Sequence, residues 1–218
     1  MNIIELNNVT FSYNQSDGPV IKELSLQVEK GSCLVVEGQN GSGKTTLFRI
    51  LNGLSFPQKG NYIFNNENIT EEYLKNNKNA KNFHKQIGYL FQNPDIMLFN
   101  ASVYDEIAFG PRQMGLSDKE VDIRTRDCMK LFDVERLADK APYHLSGGQK
   151  KRVAFAAIMS LNPDVLILDE PFAGLDNRTT EWMMSFLNEL KISGKTLIIA
   201  THINEVREKL ADKSIVLE

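Results

Sequence analysis

The stretch Gly38-Gln-Asn-Gly-Ser-Gly-Lys-Thr45 matches the phosphate-binding loop G-x-x-x-x-G-K-S/T at every fixed position. Its glycines let the backbone wrap closely around an anion with the N–H groups pointing inward. Lys44 adds a positive charge for the β- and γ-phosphates, and the Thr45 hydroxyl can serve as a ligand for Mg²⁺. The loop therefore predicts binding of a nucleoside triphosphate. The predicted phosphate-binding residues are Gly38, Asn40, Gly41, Ser42, Gly43, Lys44, Thr45 and Thr46.

The residues on either side of this loop indicate its structural setting. Cys33–Glu37 is a short apolar run typical of a buried strand, and Leu47, Ile50 and Leu51 form an apolar face at helical spacing. A helix that begins near Lys44 directs the positive end of its dipole at the same anion. We therefore expect a strand, the glycine loop and a helix in succession.

Composition is that of an ordinary globular protein, with 218 residues, 42% hydrophobic and 24% charged. The net charge of −3 creates no field that favours nucleic acid, so we expect no nucleic acid partner. Cys33 and Cys128 lie in apolar patterns and are expected to be reduced structural thiols of a cytoplasmic protein. The longest apolar run, Val153–Met159, is far too short to cross a bilayer, so a partner must supply any membrane spans.

The first third of the chain mixes strand and loop patterns. Apolar and polar residues alternate over Ile3–Tyr13, which predicts a strand of a small antiparallel sheet. A turn at Asn14–Pro19 and a second strand near Val20–Val28 follow. The segment Asn65–Asn82 is rich in Asn, Lys and Glu, which predicts a solvated loop with one short helix around Thr70–Leu74.

The middle of the chain, from Pro94 to about Leu161, is predicted to be mainly helical. Ser117 with Glu120, and Ser146 with Gln149, form capping-box patterns that predict helix starts. Gly110-Pro111 is predicted to break the helical pattern. We expect this block to be a helical subdomain at residues 93–161, inserted into an α/β core at residues 1–92 and 162–218. The predicted apolar face of the helix after Ser117 comprises Val121, Cys128, Leu131 and Phe132.

The last third returns to an α/β pattern. Val165–Asp169 and Thr196–Ala200 are apolar runs typical of buried parallel strands, and Asp176 caps the helix between them. Strands that alternate with helices around a phosphate loop predict a parallel α/β sheet. Asp169 at the strand tip is a candidate Mg²⁺ ligand, and Glu170 is a candidate general base. The alternative is a strand that simply ends in solvated acids.

A further motif, Leu145-Ser-Gly-Gly-Gln149, specifies five residues that occur together by chance in fewer than about one chain in a thousand. It resembles the signature of ATP-binding-cassette (ABC) ATPases, and the chain carries that family's motifs in the family's order. The resemblance implies a P-loop NTPase cassette with a mainly parallel RecA-like core, an N-terminal antiparallel β subdomain and an inserted helical subdomain. It also implies ATP hydrolysis with ATP and Mg²⁺ as cofactors.

The family resemblance implies a role for each motif residue. Tyr13 resembles the aromatic residue that stacks on adenine, although from the sequence alone a tyrosine at a strand end is equally expected. Gln92 resembles the glutamine that joins core and helical subdomain at the Mg²⁺, and Asp176 belongs to a loop that crosses to a partner. The implied catalytic residues are Lys44, Gln92, Glu170 and His202, and the implied metal ligands are Thr45, Gln92 and Asp169.

In the family arrangement two cassettes pair head to tail, so one signature caps the γ-phosphate held by Lys44 of the other chain. Backbone N–H groups at a helix N-terminus suit that task. ATP then holds the dimer together and hydrolysis loosens it. The second cassette can be identical or a paralogue. The signature residues implied to contact nucleotide are Ser146, Gly147, Gly148 and Gln149.

The stretch Phe91–Phe99, together with Ser102–Pro111, is similar to energy-coupling-factor (ECF) ATPases, which drive uptake of vitamins and transition metals such as biotin or cobalt. The resemblance implies that Gln92–Phe99 contacts a transmembrane coupling subunit and, through it, a substrate-binding membrane subunit. The chain would then lie peripherally on the cytoplasmic face of the cell membrane. Met97 stands where the usual pattern has a second glutamine.

Other ABC classes remain as alternatives. One is a single-cassette ATPase that serves an exporter, a lipoprotein extractor or another importer, and only the Phe91–Pro111 stretch argues against it. An ABC ATPase of DNA repair needs coiled-coil arms or zinc-binding cysteines, and ribosome factors usually have twin cassettes and a basic surface. The chain has one cassette, two cysteines and a net charge of −3, which disfavours both.

Overall fold

The computed structural model describes residues 1–14, 16 and 18–218, so the turn predicted at Asn14–Pro19 lies partly outside the described residues. Strands dominate the start of the chain, and strands and helices alternate strictly from Val165 to its end. The strands are β1 (Asn2–Phe11), β2 (Ile21–Glu29), β3 (Cys33–Glu37), β4 (Lys59–Phe64), β5 (Glu67–Asn68), β6 (Ile87–Leu90), β7 (Val165–Asp169), β8 (Thr196–Ala200) and β9 (Lys213–Val216).

The helices begin directly after the phosphate loop and dominate the middle of the chain. None of them, in the described part of the chain, is long and apolar enough to span a membrane. The helices are α1 (Lys44–Leu51), α2 (Glu71–Lys75), α3 (Asn77–Gln86), α4 (Val103–Gln113), α5 (Asp118–Leu131), α6 (Gly147–Met159), α7 (Asn177–Ile192) and α8 (Asn204–Leu210).

Two sheets confirm the predicted mixture of strand types. The first is antiparallel, in the order β2-β1-β4-β5, and the second is parallel, in the order β6-β7-β8-β3-β9. In the parallel sheet Val36 pairs with Ala200, and Ala200 in turn pairs with Asp169. The carboxyl ends of β3, β7 and β8 therefore meet at one edge, where the phosphate loop begins.

The parallel sheet is covered on both faces, since β7 and β8 are buried at every position and β3 at every position except Glu37. Leu34, Ile167 and Ile198 face a cluster that includes α1 and the antiparallel sheet. Val35 and Leu166 face the opposite cluster, which includes residues of α4, α6 and α7. The sheet edge with the phosphate loop is thus fixed from both sides. The boundaries proposed above for a helical subdomain stay a prediction.

The loop predicted over Asn65–Asn82 is wrong for its second half, where α3 begins at Asn77. The Asn76 side chain caps α3 by accepting hydrogen bonds from the N–H groups of the second and third residues that follow it. The helix is anchored by Phe83, which packs edge-to-face on the Phe64 ring at 5.3 Å. A single buried residue creates no apolar periodicity, which explains the wrong prediction.

Two predictions for the helical block are also wrong. Gly110-Pro111 does not interrupt a helix, since both residues lie inside α4, which ends two residues later at Gln113. Leu131 does not belong to the apolar face of α5, because its side chain is half exposed. The buried positions are Val121, Thr125 and Met129, spaced four residues apart, and Leu131 is displaced from that row. The capping box of Ser117 and Glu120 is confirmed.

Candidate functional site

The conformation of the phosphate loop requires glycine at two positions, Gly38 and Gly43. Gly38 and Gly43 have φ angles of +148° and +94°, values that L-residues with side chains rarely adopt. A Cβ atom on Gly38 would lie 2.6 Å from the carbonyl oxygen of Leu217. On Gly43 it would lie 3.0 Å from Cδ1 of Ile21. Any side chain at either position would therefore displace the loop from β2 or from the C-terminal segment.

Helix α1 starts at the end of this loop with Gly43 as its N-cap. Because glycine has no side chain, the cap contributes no oxygen to the first N–H groups of the helix. These donors and the positive end of the helix dipole are directed at the loop and form an anion site.

The Lys44 side chain is folded back into the loop rather than into solvent. Its ammonium donates hydrogen bonds to the carbonyl oxygens of Gly38, at 2.7 Å, and Gln39, at 3.0 Å. Only 9% of the residue is exposed. The positive charge is therefore held at the mouth of the loop, where it can meet a phosphate oxygen.

The loop is joined to the end of β7 by a hydrogen bond from Thr45 Oγ1 to Asp169 Oδ2 at 3.0 Å. Burial raises the pKa of Asp169, while the Thr45 hydroxyl and the charge of Lys44 lower it. Gln92 lines the same cavity. A hydroxyl, a carboxylate and an amide oxygen are hard ligands of the type that Mg²⁺ prefers, so the side chains present fit that ion.

Glu170 follows Asp169 with a backbone that is unusual for its residue type. Its φ angle is +48°, and it precedes Pro171, although the residue before a proline is normally driven to extended conformations. Such a conformation costs on the order of 1–3 kcal/mol and is found mainly where function requires it. It directs the carboxylate toward His202, with Glu170 Oε1 at 3.0 Å from His202 Nε2.

The Glu170 carboxylate is largely buried, and its side chain is 13% exposed. The contact with His202 lacks the alignment of a hydrogen bond, and Oε1 has no hydrogen-bond partner among the described residues. Burial raises the pKa of Glu170, and the proximity of His202 opposes that rise. A buried carboxylate oxygen that lacks a donor is able to accept a proton from a water molecule.

Tyr13 stands at the opposite side of the loop with a ring face available. Its side chain is 55% exposed, and the ring packs edge-to-face on Phe11 at 5.0 Å. The hydroxyl lies 3.1 Å from Thr46 Oγ1 in a hydrogen bond. The ring is therefore fixed next to the phosphate loop in a position where a base could stack on it.

These side chains meet in one open cleft of about 680 Å³. A second cleft of about 920 Å³ adjoins it and shares Asn40, Gly41 and His202. The sequence-predicted residues that line the first cleft are Tyr13, Asn40, Gly41, Gly43, Lys44, Thr45, Thr46, Gln92, Asp169, Glu170 and His202, and the second is also lined by Gly38 and Ser42.

The signature residues do not line either cleft. Ser146 is the N-cap of α6, and its capping box with Gln149 is confirmed. A Cβ atom on Gly147 or Gly148 would meet no atom within 4 Å, so the backbone there is open to an approaching molecule. Asp176 also lies outside both clefts and caps α7 by accepting a hydrogen bond from the Thr179 N–H at 2.7 Å. The roles of these residues stay predictions.

Two buried ionic residues were not singled out in the sequence. Glu106 of α4 accepts hydrogen bonds from the N–H groups of Phe99 and Asn100, at 2.9 and 2.7 Å. Lys151 of α6 donates to the carbonyl oxygens of Glu170 and Ala173. A lysine or glutamate in a helix is normally solvated, and only the folded chain shows which carbonyl or N–H it reaches.

The parallel sheet, the glycine loop and the carboxylates at the end of β7 define a nucleoside-triphosphate-binding cassette. The family model of the ABC transporter domain matches residues 21–173. The chain therefore belongs to the ABC transporter family, as an ATP-binding subunit that hydrolyses ATP. The cassette fold and the enzymatic class predicted from the sequence are confirmed.

Curated relatives agree with this family. The nickel import ATP-binding protein LarO of Lactiplantibacillus plantarum is 44% identical over 214 residues, which are 98% of this chain and 88% of that protein. The energy-coupling factor transporter ATP-binding protein EcfA of Methanococcus maripaludis is 41% identical over 203 residues, which are 93% of this chain and 71% of that protein.

Solved structures agree as well. The structure of cbiO1 from Clostridium perfringens, part of the ABC transporter complex cbiONQ, matches with a TM-score of 0.84 and 36% identity. It covers 100% of this chain and 85% of cbiO1. A dimeric, post-hydrolysis structure of the ATP-binding cassette MJ0796 with ADP and Pi matches with a TM-score of 0.89 and 28% identity, covering 99% of this chain and 94% of MJ0796.

Proposed function

We propose that this chain is the ATP-hydrolysing subunit of an ECF-type importer of a vitamin or a transition metal ion such as nickel or cobalt. The observation that carries the proposal is the 44% identity to a nickel import ATP-binding protein over 98% of the chain. The similarity to EcfA supports the same class. The chain would act peripherally at the cytoplasmic face of the membrane, bound to a transmembrane coupling subunit.

The proposed contact with that subunit is an apolar surface formed by Ile96, Phe99 and Phe109, which we call the docking surface. Ile96 and Phe99 are 65% and 67% exposed, and Phe99 packs edge-to-face on Phe109 at 5.0 Å. Exposed apolar patches of this kind mark interaction sites. Met97, which replaces the usual glutamine, is half-buried against the core, so its neighbours carry the contact.

Glu106 supports the docking surface from below. Its buried carboxylate accepts both N–H groups at the end of the surface loop, which orders Phe99 before a partner binds. A loop that is already ordered loses less conformational entropy when a partner binds. The surface is therefore suited to receive a helix or loop of a membrane protein.

We expect Phe99→Asp to weaken association with the membrane partner roughly 30-fold, because a charge replaces a central apolar contact. The measurement is the yield of membrane subunits that co-purify with the tagged chain from detergent-solubilised membranes. Uptake of radioactive nickel, cobalt and biotin by cells that carry the variant is measured alongside.

The matched control is Ile192→Asp, since Ile192 is equally apolar and 78% exposed but lies at the end of α7. Full co-purification by Phe99→Asp, or equal loss in both variants, contradicts the docking surface. Normal uptake of all three substrates by cells with the inactive Glu170→Gln chain contradicts the substrate class and favours an exporter or another importer.

For the chemistry, we propose that Lys44 and the loop N–H groups bind the β- and γ-phosphates while Tyr13 stacks on adenine. Thr45, Gln92 and Asp169 would hold Mg²⁺, which when bound neutralises charge on the phosphate oxygens. Glu170 would take a proton from the attacking water, and His202, whose Nε2 lies 3.0 Å from Glu170 Oε1, would contact the γ-phosphate.

The site is proposed to be completed by a second cassette. The signature of α6 lies outside the chain's own clefts, and its glycine backbone is open, which supports the arrangement in which it caps nucleotide on a partner. Asp176 would contact the same partner. The dimeric structure of MJ0796 is a related cassette in a paired state. The partner is an identical chain or a paralogue.

We expect the kcat of ATP hydrolysis to rise with pH as Glu170 loses its proton, because only the carboxylate can act as a base. Burial raises the pKa of Glu170, so this acidic limb lies above the pH of about 4.3 at which an ordinary glutamate titrates. His202 lowers the pKa of Glu170. His202→Gln should therefore shift the limb to higher pH, measured as kcat against pH.

His84→Gln is the control for this shift, because His84 lies in α3 and does not line the cleft. A limb that stays in place in His202→Gln, or that moves equally in both variants, would show that the contact between His202 and Glu170 does not govern the titration.

A further inference from the structure

We propose that Lys151 is a positioning residue for Glu170, holding the backbone turn from which the catalytic carboxylate projects. The inference rests on the proposed role of Glu170 as the general base. It assigns a function to a buried charge that belongs neither to the phosphate loop nor to the signature.

The contacts of Lys151 converge on one turn. Its ammonium donates a hydrogen bond to the carbonyl oxygen of Ala173 at 2.7 Å and a second to that of Glu170 at 3.2 Å. The Ala173 N–H also donates to the Glu170 carbonyl, at 3.2 Å. Lys151 thus closes the turn over Glu170–Ala173 from the side of α6.

This turn needs support because Glu170 has a φ angle of +48° and precedes Pro171. A conformation of this type persists only where several neighbours fix it. The Glu170 N–H is fixed by the carbonyl oxygen of Ala200 at 3.0 Å. The Glu170 carbonyl is fixed by Lys151, so the two flanking peptide groups are held by different elements, β8 and α6.

The burial of Lys151 indicates a role other than stability. The residue is 4% exposed, its two acceptors are uncharged carbonyl groups, and burial lowers its pKa. Burying a charge that has no ion-pair partner costs free energy, so a gain in net stability does not explain the buried ammonium of Lys151. Its neighbour Lys150 instead makes an ion pair with Asp95 at 2.6 Å on the protein surface.

The test is Lys151→Met, which keeps an unbranched side chain that is one atom shorter and removes all donors. We expect kcat to fall roughly 10- to 100-fold, since a displacement of about 1 Å at a catalytic group costs 10²-fold. KM and the affinity for ATP should stay within about twofold, because Lys151 does not line the cleft. Lys151→Arg, which retains charge and donors, should recover most of the lost kcat.

The control is Lys191→Met, since Lys191 is also a partly buried lysine that donates to a backbone carbonyl, that of Leu210 at 2.8 Å. It should retain wild-type kcat. If Lys151→Met does not fold by thermal melting, Lys151→Leu replaces it, because leucine is smaller and also lacks a donor. Wild-type kcat in a folded Lys151→Met or Lys151→Leu, or a joint loss of kcat and ATP affinity, overturns the proposal.

A double mutant tests whether Lys151 acts through Glu170. In a Glu170→Gln background, Lys151→Met should lower the residual single-turnover rate by less than about twofold. An equal fall in both backgrounds overturns the proposal. If Glu170→Gln alone hydrolyses ATP at the wild-type rate, the proposed base is wrong. If Glu170→Gln is inactive and Lys151→Met is fully active, only the role of Lys151 is wrong.

Discussion

Glu170→Gln is expected to lower ATP hydrolysis by about 10²- to 10⁴-fold while ATP binding persists, because the amide cannot accept a proton from the attacking water. The substitution preserves the size of the side chain and the turn beneath it. In the proposed paired site the two cassettes separate only after hydrolysis, so the variant should accumulate as a dimer in ATP and Mg²⁺. Phosphate release measures the first effect, and size-exclusion chromatography with nucleotide measures the second.

Glu205→Gln is the matched control, since it removes the same charge from an exposed position in α8 that pairs with Lys209. It should hydrolyse ATP at the wild-type rate and elute as the wild type does. A Glu170→Gln chain that remains monomeric in ATP and Mg²⁺ contradicts the paired site, even if hydrolysis is lost. Hydrolysis at the wild-type rate contradicts the assignment of the base.

Lys44→Ala has the second large expected effect, a loss of ATP affinity of roughly 10- to 100-fold. Hydrogen bonds that involve a charged group contribute about 1.5–3 kcal/mol, which converts to that range. The substitution also removes the two bonds by which the ammonium closes the loop on Gly38 and Gln39. Isothermal titration with a non-hydrolysable ATP analogue measures the change.

Lys22→Ala provides the comparison, because Lys22 is exposed in β2 and its loss changes the net charge equally. Unchanged affinity in Lys44→Ala means that the ammonium does not contact the phosphates. A similar loss in both variants means that net charge rather than position is responsible.

The parts of the fold that the sequence predicted are those specified by local signals. The strand before the phosphate loop, the helix from Lys44 and the capping boxes at Ser117 and Ser146 all lie within a few residues of the signal that predicts them. The run of four apolar residues at the start of Val165–Asp169 predicted β7 for the same reason. The cassette fold followed because these local elements occur in one order.

The parts that the sequence did not predict depend on contacts between distant residues. Helix α3 is anchored by Phe83, whose partner Phe64 lies 19 positions earlier, so no periodic pattern marks it. Leu131 is apolar and is therefore predicted to lie on the inner face of α5. The buried positions of α5, which are Val121, Thr125 and Met129, lie on a different side of the helix. Lys151 reaches Ala173 across 22 positions.

The position of Ser146 at the start of α6, outside the clefts of its own chain, has a consequence for how activity depends on concentration. If each nucleotide site is completed by the signature residues of a second molecule, the rate of hydrolysis in dilute solution depends on the square of the protein concentration. Dilution would then lower the rate of ATP hydrolysis per chain. Membrane subunits that bind two cassettes would restore that rate, because they hold the cassettes at a high local concentration. Free subunits would hydrolyse little ATP, so the need for assembly would limit ATP hydrolysis that is not coupled to transport.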